Sequence, residues 1–503
     1  MLPDPKDLFC SDLPTSPRPD IGKILIAGAT GYVGGRLVPE LLSRGYDIKV
    51  MVRNKFADID SWHNAEMVVA DAQKLDQLDR ALEGVQVAYY LIHSLGLGPN
   101  EFADADNVAA NNFQRAASKQ GLKRIIYLGA AGEENKYQSN HLRNRNAVAE
   151  ILRQGSVPVT ALRAAVIIGS GSASYEIIKN IVLNLPIILL PTWAKHQCQP
   201  IGIRDVIKYL VGVLELDECI GQVFDIGGKD IFTYEEMLKI CAGILGSKTL
   251  FLNIPNSTIS LYSYVASLFT PVPAPVIYCL MEGLKDNTVC SEDRITGLIP
   301  FETLSYRESI VRALSREEQD KVYTRWSDAY PPAHELAIKL AELTEPPQFS
   351  TSYSLYTQKS SVSLFQNICQ IGGKDGWFRN NWMWRLRGLI DRILMGVGTA
   401  RGRKSTQRLE INDVIDFFRI ENIKDDELLL LRAEMKLPGR AWLEFRIDHS
   451  ENEKHQLTVN AYFQTRTFFG RIYWYMFLPF HKIIFKDLIE EIDNRSSLLA
   501  GPI

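Results

Sequence analysis

Ile24-Leu25-Ile26-Ala27-Gly28-Ala29-Thr30-Gly31-Tyr32-Val33-Gly34-Gly35 is the stretch that decides the fold. Its first four residues are an apolar run too short for a helix, and they predict a strand over 24–27. Glycines at 28, 31 and 34 allow a tight turn, close backbone approach and close helix–strand packing. A helical pattern starts at once, with Leu37, Leu41 and Leu42 on one face of Arg36–Arg44. Ile48–Val52 reads as the next strand. A glycine trio alone could be a plain turn. The strand before it, the helix after it and the second strand beyond make it specific.

A helix that starts behind such glycines presents free N–H groups and a positive dipole end to an anion. The reading is a dinucleotide cradle, with Gly28, Thr30, Gly31, Tyr32, Val33 and Gly34 as its binding residues. A site for NAD(H) usually has Asp or Glu at the end of the second strand. Here Val52-Arg53-Asn54-Lys55 stands there. The Arg53 guanidinium can fork onto a 2′-phosphate that a carboxylate would repel. That contact predicts roughly ten- to hundredfold preference for NADP(H), with NAD(H) as the alternative cofactor and a solvated Arg53 as the plainer reading. Asp71, after the third strand, can accept from the adenine amino group or cap the following helix.

Outward from this motif, Met67–Ala70, Val85–Ile92, Ile125–Leu128, Val159–Leu162 and Val223–Ile226 continue the alternation of strand and helix. That order predicts a Rossmann-type, doubly wound parallel sheet in an α/β domain. Ser170–Gln199 and Thr233–Arg316 are less regular and suit a small substrate-side lobe. Phe251–Met281 lacks charge, but Pro271, Pro273 and Pro275 interrupt it, so a buried helical lid is expected rather than a membrane span, with a surface resting on a membrane as the alternative. Residues 1–20 form an N-terminal extension, 21–330 the dinucleotide domain, 331–347 a proline-marked linker and 348–503 a second domain. In that domain Asp413–Glu421, Glu427–Lys436, Arg440–Asp448 and Gln456–Thr465 read as antiparallel strands, followed by a helix over about His481 to Asp493.

A net charge of -3 supplies no field for nucleic acid, which is excluded as a partner. The seven cysteines include no C-x-x-C pair, which predicts reduced thiols and a cytoplasmic setting and gives no metal site. Residues 1–20 lack the pattern of a signal peptide.

The opening motif resembles that of extended and atypical short-chain dehydrogenases/reductases. Val69-Ala70-Asp71, Ile125-Ile126-Tyr127-Leu128-Gly129, the stretch Leu162 to Gly169 and Gln199 to Val206 fit as well. The resemblance runs from about Lys23 to Leu314 and is nearest to NmrA-like members and a group related to an accessory subunit of respiratory complex I. It implies an NAD(P)-dependent oxidoreductase in which a Tyr-x-x-x-Lys pair exchanges a proton with the substrate. This chain departs from that pattern. His141 stands where the tyrosine would be and Arg145 where the lysine would be, while Gly129, Ala130 and Ala131 replace the usual serine. Tyr137 lies nearby without a lysine four residues later. His141 and Arg145 are the candidate catalytic pair, or else cofactor-side or structural residues.

The second half resembles an uncharacterised domain fused to atypical short-chain reductases, akin to the helix-grip polyketide-cyclase/START-like superfamily. Gly372-Gly373-Lys374-Asp375-Gly376-Trp377, Leu386 to Arg392, Arg401-Gly402-Arg403, Arg432 to Glu444 and Tyr473 to His481 carry it. That implies a sheet wrapped on a long C-terminal helix around an apolar cavity. Trp377, Trp382, Trp384, Trp442, Tyr462, Phe463, Tyr473, Trp474 and Tyr475 are expected as core, with a ligand pocket as the alternative. Arg401, Arg403 and Lys404 form a basic loop expected to face water, with contact to an anionic group as the alternative. Three functions follow: reduction of a hydrophobic carbonyl or quinone-like substrate, a non-catalytic NADP(H) sensor or assembly protein, or, more narrowly, a lipid-binding module. A lipid-like ligand, a membrane surface and a respiratory complex complete the expected partners.

Overall fold

A computed structural model describes residues 8–53, 62, 64–93, 102–132, 139–255, 258–318, 325–329, 338–373, 376–401, 409–450 and 454–498. Tyr137, Arg403 and Lys404, named above, lie outside them. The chain divides into two compact units, Met1–Pro332 and Ala333–Ile503.

The first unit is built on seven strands: β1 (Ile24–Ala27), β2 (Ile48–Val52), β3 (Glu66–Val69), β4 (Val87–Tyr90), β5 (Arg124–Ala130), β6 (Val159–Ala164) and β7 (Val223–Ile226). All pair parallel, in the spatial order β7-β6-β5-β4-β1-β2-β3. This is the expected Rossmann-type sheet. Both faces of β1 are buried: Ile24 and Ile26 join one apolar core, Leu25 and Ala27 the other. The first core is shared with helices α1 (Gly34–Ser43) and α6 (Ile203–Glu215), the second with α2 (Leu75–Ala81), α3 (Phe102–Gln120) and α4 (Asn140–Arg153). Strand order reverses between β1 and β4, where ligands bind in open parallel sheets.

The regions read as irregular are mostly helical. A third core joins α5 (Ala173–Asn184), α7 (Tyr234–Leu245), α8 (Ile259–Phe269), α9 (Ala274–Glu282) and α11 (Tyr306–Glu318), with the short α10 (Arg294–Leu298) before the last. Thr233 opens α7 with a reciprocal capping box to Glu236. Thr270–Pro273 separates α8 from α9, so the uncharged stretch forms two short helices. No helix among the described residues is long and apolar enough to cross a membrane.

The N-terminal segment packs on the first unit. Glu215 accepts from Thr15, Arg44 and Tyr46, while Glu40 accepts from the amides of Phe9 and Cys10. Cys10 and Leu13 are buried there.

The second unit is an antiparallel sheet with helices. Its strands are β8 (Phe349–Thr357), β9 (Val414–Ile415), β10 (Phe418–Lys424), β11 (Leu428–Ala433), β12 (Arg440–Ser450) and β13 (Lys454–Gln464), ordered β8-β13-β12-β11-β10-β9. Three features differ from the sequence reading. The run over 413–421 is broken at Asp416, whose φ of 54° turns the chain so that Ile415 pairs with Phe418. Phe349–Thr357 is an additional edge strand paired to β13. Helices α12 (Ser361–Ile368) and α13 (Asn381–Ile393) lie between β8 and β9, and α14 (Phe468–Arg495) follows the last strand, much longer than the helix expected from His481. Trp474 and Phe485 of α14 meet Phe349, Phe463 and Tyr353 of the sheet.

A buried ion cluster sits at the end of β11. The Glu434 carboxylate receives Arg401 Nη1 at 2.8 Å, Arg419 Nε at 2.6 Å and Arg432 Nη2 at 3.4 Å. Arg401 is therefore buried, not solvated as expected. Trp377, Trp384, Trp442, Phe463 and Trp474 are core. Trp382 and Tyr475 are not: both are exposed, which corrects that expectation.

Candidate functional site

The glycine turn has the geometry its residues require. Gly28 takes a φ of +92°, and a Cβ there would lie 2.7 Å from the Leu91 carbonyl oxygen. A Cβ on Gly34 would lie 2.8 Å from Ala29 Cα. Gly31 donates its N–H to the Gly28 oxygen at 3.0 Å, closing the turn. Val33 precedes α1 without a side-chain cap, and Thr30 lies partly exposed in the turn. The N-terminal amides of the helix thus keep the character of an anion site.

Tyr32 behaves differently from the expectation. Its ring lies under the Arg36 guanidinium, 4.1 Å from the centroid, and its hydroxyl is buried, which pushes its pKa up to about 12. Arg36 also donates to the Ser170 carbonyl at 2.8 Å. The Tyr32 side chain therefore braces the loop around Ser170, and only its backbone belongs to the turn.

β1 and β2 pair Ala27 with Met51, so Arg53 leaves the sheet at the edge where Gly28 does, and it is exposed there. Asp71 closes a turn: its carboxylate accepts the Gln73 N–H at 3.0 Å, and its own N–H donates to Gln77 Oε1 at 2.8 Å. This favours the entry to α2 over an adenine contact.

α4 carries His141 and Arg145 four residues apart, on one helical face. Ser139 caps the helix by accepting from Leu142 N–H. The start of the helix is also tied to the lobe, because the Ser139 amide donates to Asp286 at 2.9 Å and Asn140 Nδ2 to Glu282 at 2.9 Å. Arg145 is buried. Its Nη2 donates to the Leu128 carbonyl at 2.5 Å, its guanidinium covers the Tyr127 ring at 4.9 Å, and its own carbonyl accepts the Tyr127 hydroxyl. Arg145 Nη1 is buried with no hydrogen-bond partner among the described residues, and so is His141 Nδ1.

Two further residues complete the group. His93, just beyond β4, lies with its ring 5.4 Å from that of His141, and its Nδ1 is 3.1 Å from Asp106 of α3. Asp106 also accepts from Asn144 Nδ2 at 3.1 Å. Position alone, directly past a strand at the ligand-binding edge, was the available signal for His93. Asp106 gave none, since only the packing of α3 on α4 brings it there.

Burial, then the neighbouring His93 and Arg145, pull the His141 pKa down to about 3 against the opposing pull of Asp106. His93 is lowered as well, by burial and Arg145. At neutral pH His141 is an uncharged hydrogen-bonding group, not an imidazolium acid. The fold keeps it neutral, whereas the unfolded chain protonates it near 6.5, so its stabilisation is complete above 6.5 and is lost as pH falls towards 3. We expect the thermal stability of the first unit to fall between pH 6.5 and 5 by about 1 kcal/mol per pH unit. His141→Gln should flatten that slope in scanning calorimetry. An unchanged slope in the variant would show that other groups control it.

Among the described residues no group of His, Cys, Asp or Glu could hold a metal ion. The cradle does fit a dinucleotide: backbone passes where a Cβ at Gly28 or Gly34 would stand, and a buried guanidinium nitrogen waits further along the same edge.

Comparison with known proteins agrees. Residues 28–181 match the NAD(P)H-binding family model, and residues 344–488 match a family described as protein of unknown function, DUF2867. The chain is similar to divinyl chlorophyllide a 8-vinyl-reductase of Arabidopsis thaliana, 24% identical over 294 residues, which cover 53% of this chain and 70% of that one. It is similar also to photosystem II assembly factor Ycf39 of Trieres chinensis, 22% identical over 249 residues, covering 49% and 76%. A third relative is the mitochondrial NADH dehydrogenase (ubiquinone) 1 alpha subcomplex subunit 9 of Arabidopsis thaliana, 22% identical over 304 residues, covering 56% and 75%. The first unit has a Rossmann-type parallel sheet, and its residues 28–181 are similar to the NAD(P)H-binding family.

Proposed function

We propose that the chain is an NADP(H)-preferring oxidoreductase that reduces a hydrophobic acceptor, of carbonyl or quinone type, at the edge formed by Gly28, His93, His141 and Arg145. The observation that carries this reading is the buried Arg145 Nη1, unsatisfied beside a cradle shaped by Gly28 and Gly34. A buried guanidinium N–H group left unsatisfied is unfavourable unless a ligand oxygen completes it.

The residues divide the work as follows. Gly28, Gly31 and Gly34 let the backbone approach a pyrophosphate, with Thr30 and the amides of Tyr32 and Val33 around it. Arg53 recognises the 2′-phosphate. Asp71 shapes the adenine side by fixing its loop. A bound nicotinamide supplies hydride. Arg145 then stabilises negative charge developing on the acceptor oxygen, and neutral His141 holds that oxygen by a hydrogen bond while Asp106 orients His93 behind it. The final proton comes from water, because at neutral pH His141 holds no imidazolium proton to give up.

Arg53→Glu tests the cofactor assignment. The ratio of NADPH to NADH affinity, measured by titration calorimetry, should fall by about ten- to hundredfold. An unchanged ratio would remove Arg53 from the site.

The lowered His141 pKa also favours a second reading. A site without an acid suits a protein whose NADP(H) occupancy sets partner choice, as the likeness to an assembly factor and a respiratory-complex subunit suggests. The two readings part on turnover. NADPH oxidation with a carbonyl and quinone panel, lost in Arg145→Ala with cofactor affinity retained, supports catalysis; binding without turnover supports the sensor.

For the second unit, the long α14 against an antiparallel sheet whose first strand pairs with its last supports a helix-grip arrangement. On this reading it binds an apolar ligand of its own.

A further inference from the structure

Helices of folded domains turn their apolar stripe inwards. In α13 the arrangement is reversed. Trp384, Gly388 and Asp391 face in, and the Asp391 carboxylate accepts the amides of Gly398 at 2.7 Å and Lys436 at 2.6 Å. Trp382, Leu386, Leu389, Ile390 and Ile393 face water, every one more than 40% exposed. α14 repeats the pattern over its first half. Trp474 and Phe485 pack on the sheet, while Phe468, Phe469, Ile472, Tyr475, Met476 and Ile483 are open, with Phe469 at 76%. The two helices meet through Trp384 and Phe485. Scattered surface leucines need no explanation; two adjoining helices with outward aromatic stripes do.

The charges beside these stripes are mostly positive: Arg379 faces Asp487 at 4.0 Å and Lys486 faces Glu490 at 3.7 Å, while the acids stay at the far end of α14. Arg379, Arg385, Arg466, Arg471, Lys482 and Lys486 are exposed around them. From 378 to 394 the one acid is the buried Asp391, and from 466 to 486 there is none. Acids return only at Asp487, Glu490, Glu491 and Asp493, in a chain whose net charge is -3. This segregation selects the occupant. A symmetric second copy would set cation against cation. An anionic bilayer complements it, with aromatic side chains at the boundary of headgroups and acyl chains and cations among the headgroups. No described helix is apolar enough to span, so the contact lies in the plane of the surface.

We propose that α13 and the first half of α14 form a docking face for anionic membranes, inserting Trp382, Phe468, Phe469 and Tyr475 into the interface. This assignment is independent of the cofactor reading. Its test is sedimentation of the full chain with vesicles of phosphatidylcholine alone and with 30% phosphatidylglycerol. Binding to the anionic vesicles should exceed that to the neutral ones at least tenfold and collapse in high salt. The triple variant Phe468→Ser, Phe469→Ser, Tyr475→Ser should lower partition at least tenfold, and Arg385→Glu with Arg471→Glu should remove the preference for charge. NADPH affinity and far-ultraviolet dichroism of the variants report on folding. Brominated lipid should quench the wild type more than Trp382→Phe. Absence of binding to either vesicle overturns the proposal. So does equal binding by the triple variant, or a wild-type dimer, or complex with an acidic protein, that the same substitutions dissociate.

Discussion

Gly34→Ala should abolish measurable NADPH binding, with a loss of about a hundredfold or more. The added Cβ would stand 2.8 Å from Ala29 Cα and 2.9 Å from the Gly28 carbonyl carbon, where no flexible side chain can move aside. Relief requires α1 to retreat from β1, and with it the amides that would meet the pyrophosphate. Overpacking of this kind costs about 1–3 kcal/mol in stability, and binding suffers further from the displaced donors. The comparison is Gly243→Ala in α7, where nothing lies within 4 Å of an added Cβ. Calorimetric titration of both variants decides the matter. Unchanged affinity in a folded Gly34→Ala protein would show that the turn does not hold the cofactor.

Glu434→Ala should destabilise the second unit by about 3–5 kcal/mol, because it removes the buried carboxylate that three guanidiniums share. Glu434→Gln should fall close to it, since shape without charge leaves the same positive cluster. Although burial alone would raise the Glu434 pKa, the three arginines outweigh it and hold it down to about 2. The sign follows from linkage. The carboxylate's stabilisation is complete above its ordinary value near 4.5 and is lost as pH falls through 2, so acid unfolding of this unit should steepen below pH 4.5 in the wild type and flatten in the variant. Urea unfolding followed by tryptophan fluorescence measures both. A difference under about 1 kcal/mol would mean that another acid neutralises the arginines.

The parallel sheet was legible because its central strands are buried on both faces. Ile24–Ala27 and Ile48–Val52 read as largely apolar runs and form strands over those same residues. β8 escaped notice for the opposite reason. Phe349-Ser350-Thr351-Ser352-Tyr353-Ser354-Leu355-Tyr356-Thr357 is half serine and threonine, as an edge strand with one wet face can be. The glycine cradle could be read from spacing, since its demands are local. The group of His93, Asp106, Asn144 and Arg145 could not, because β4, α3 and α4 assemble it only in three dimensions. Nor does periodicity tell which side of a helix meets the core. The pattern of α13 marks an apolar stripe, and the buried Asp391 on the other face shows that the stripe points out.

The anchoring of α4 has a mechanical corollary. Asp286 and Glu282 grip the first residues of the helix that bears Arg145, while its later residues Val148 and Leu152 are packed beneath β5. Any swing of the lobe that admits a bulky guest must therefore bend or slide that helix, altering how far the guanidinium sits from the Leu128 carbonyl. Entry of the guest and the strength of the positive charge awaiting it become one coordinate.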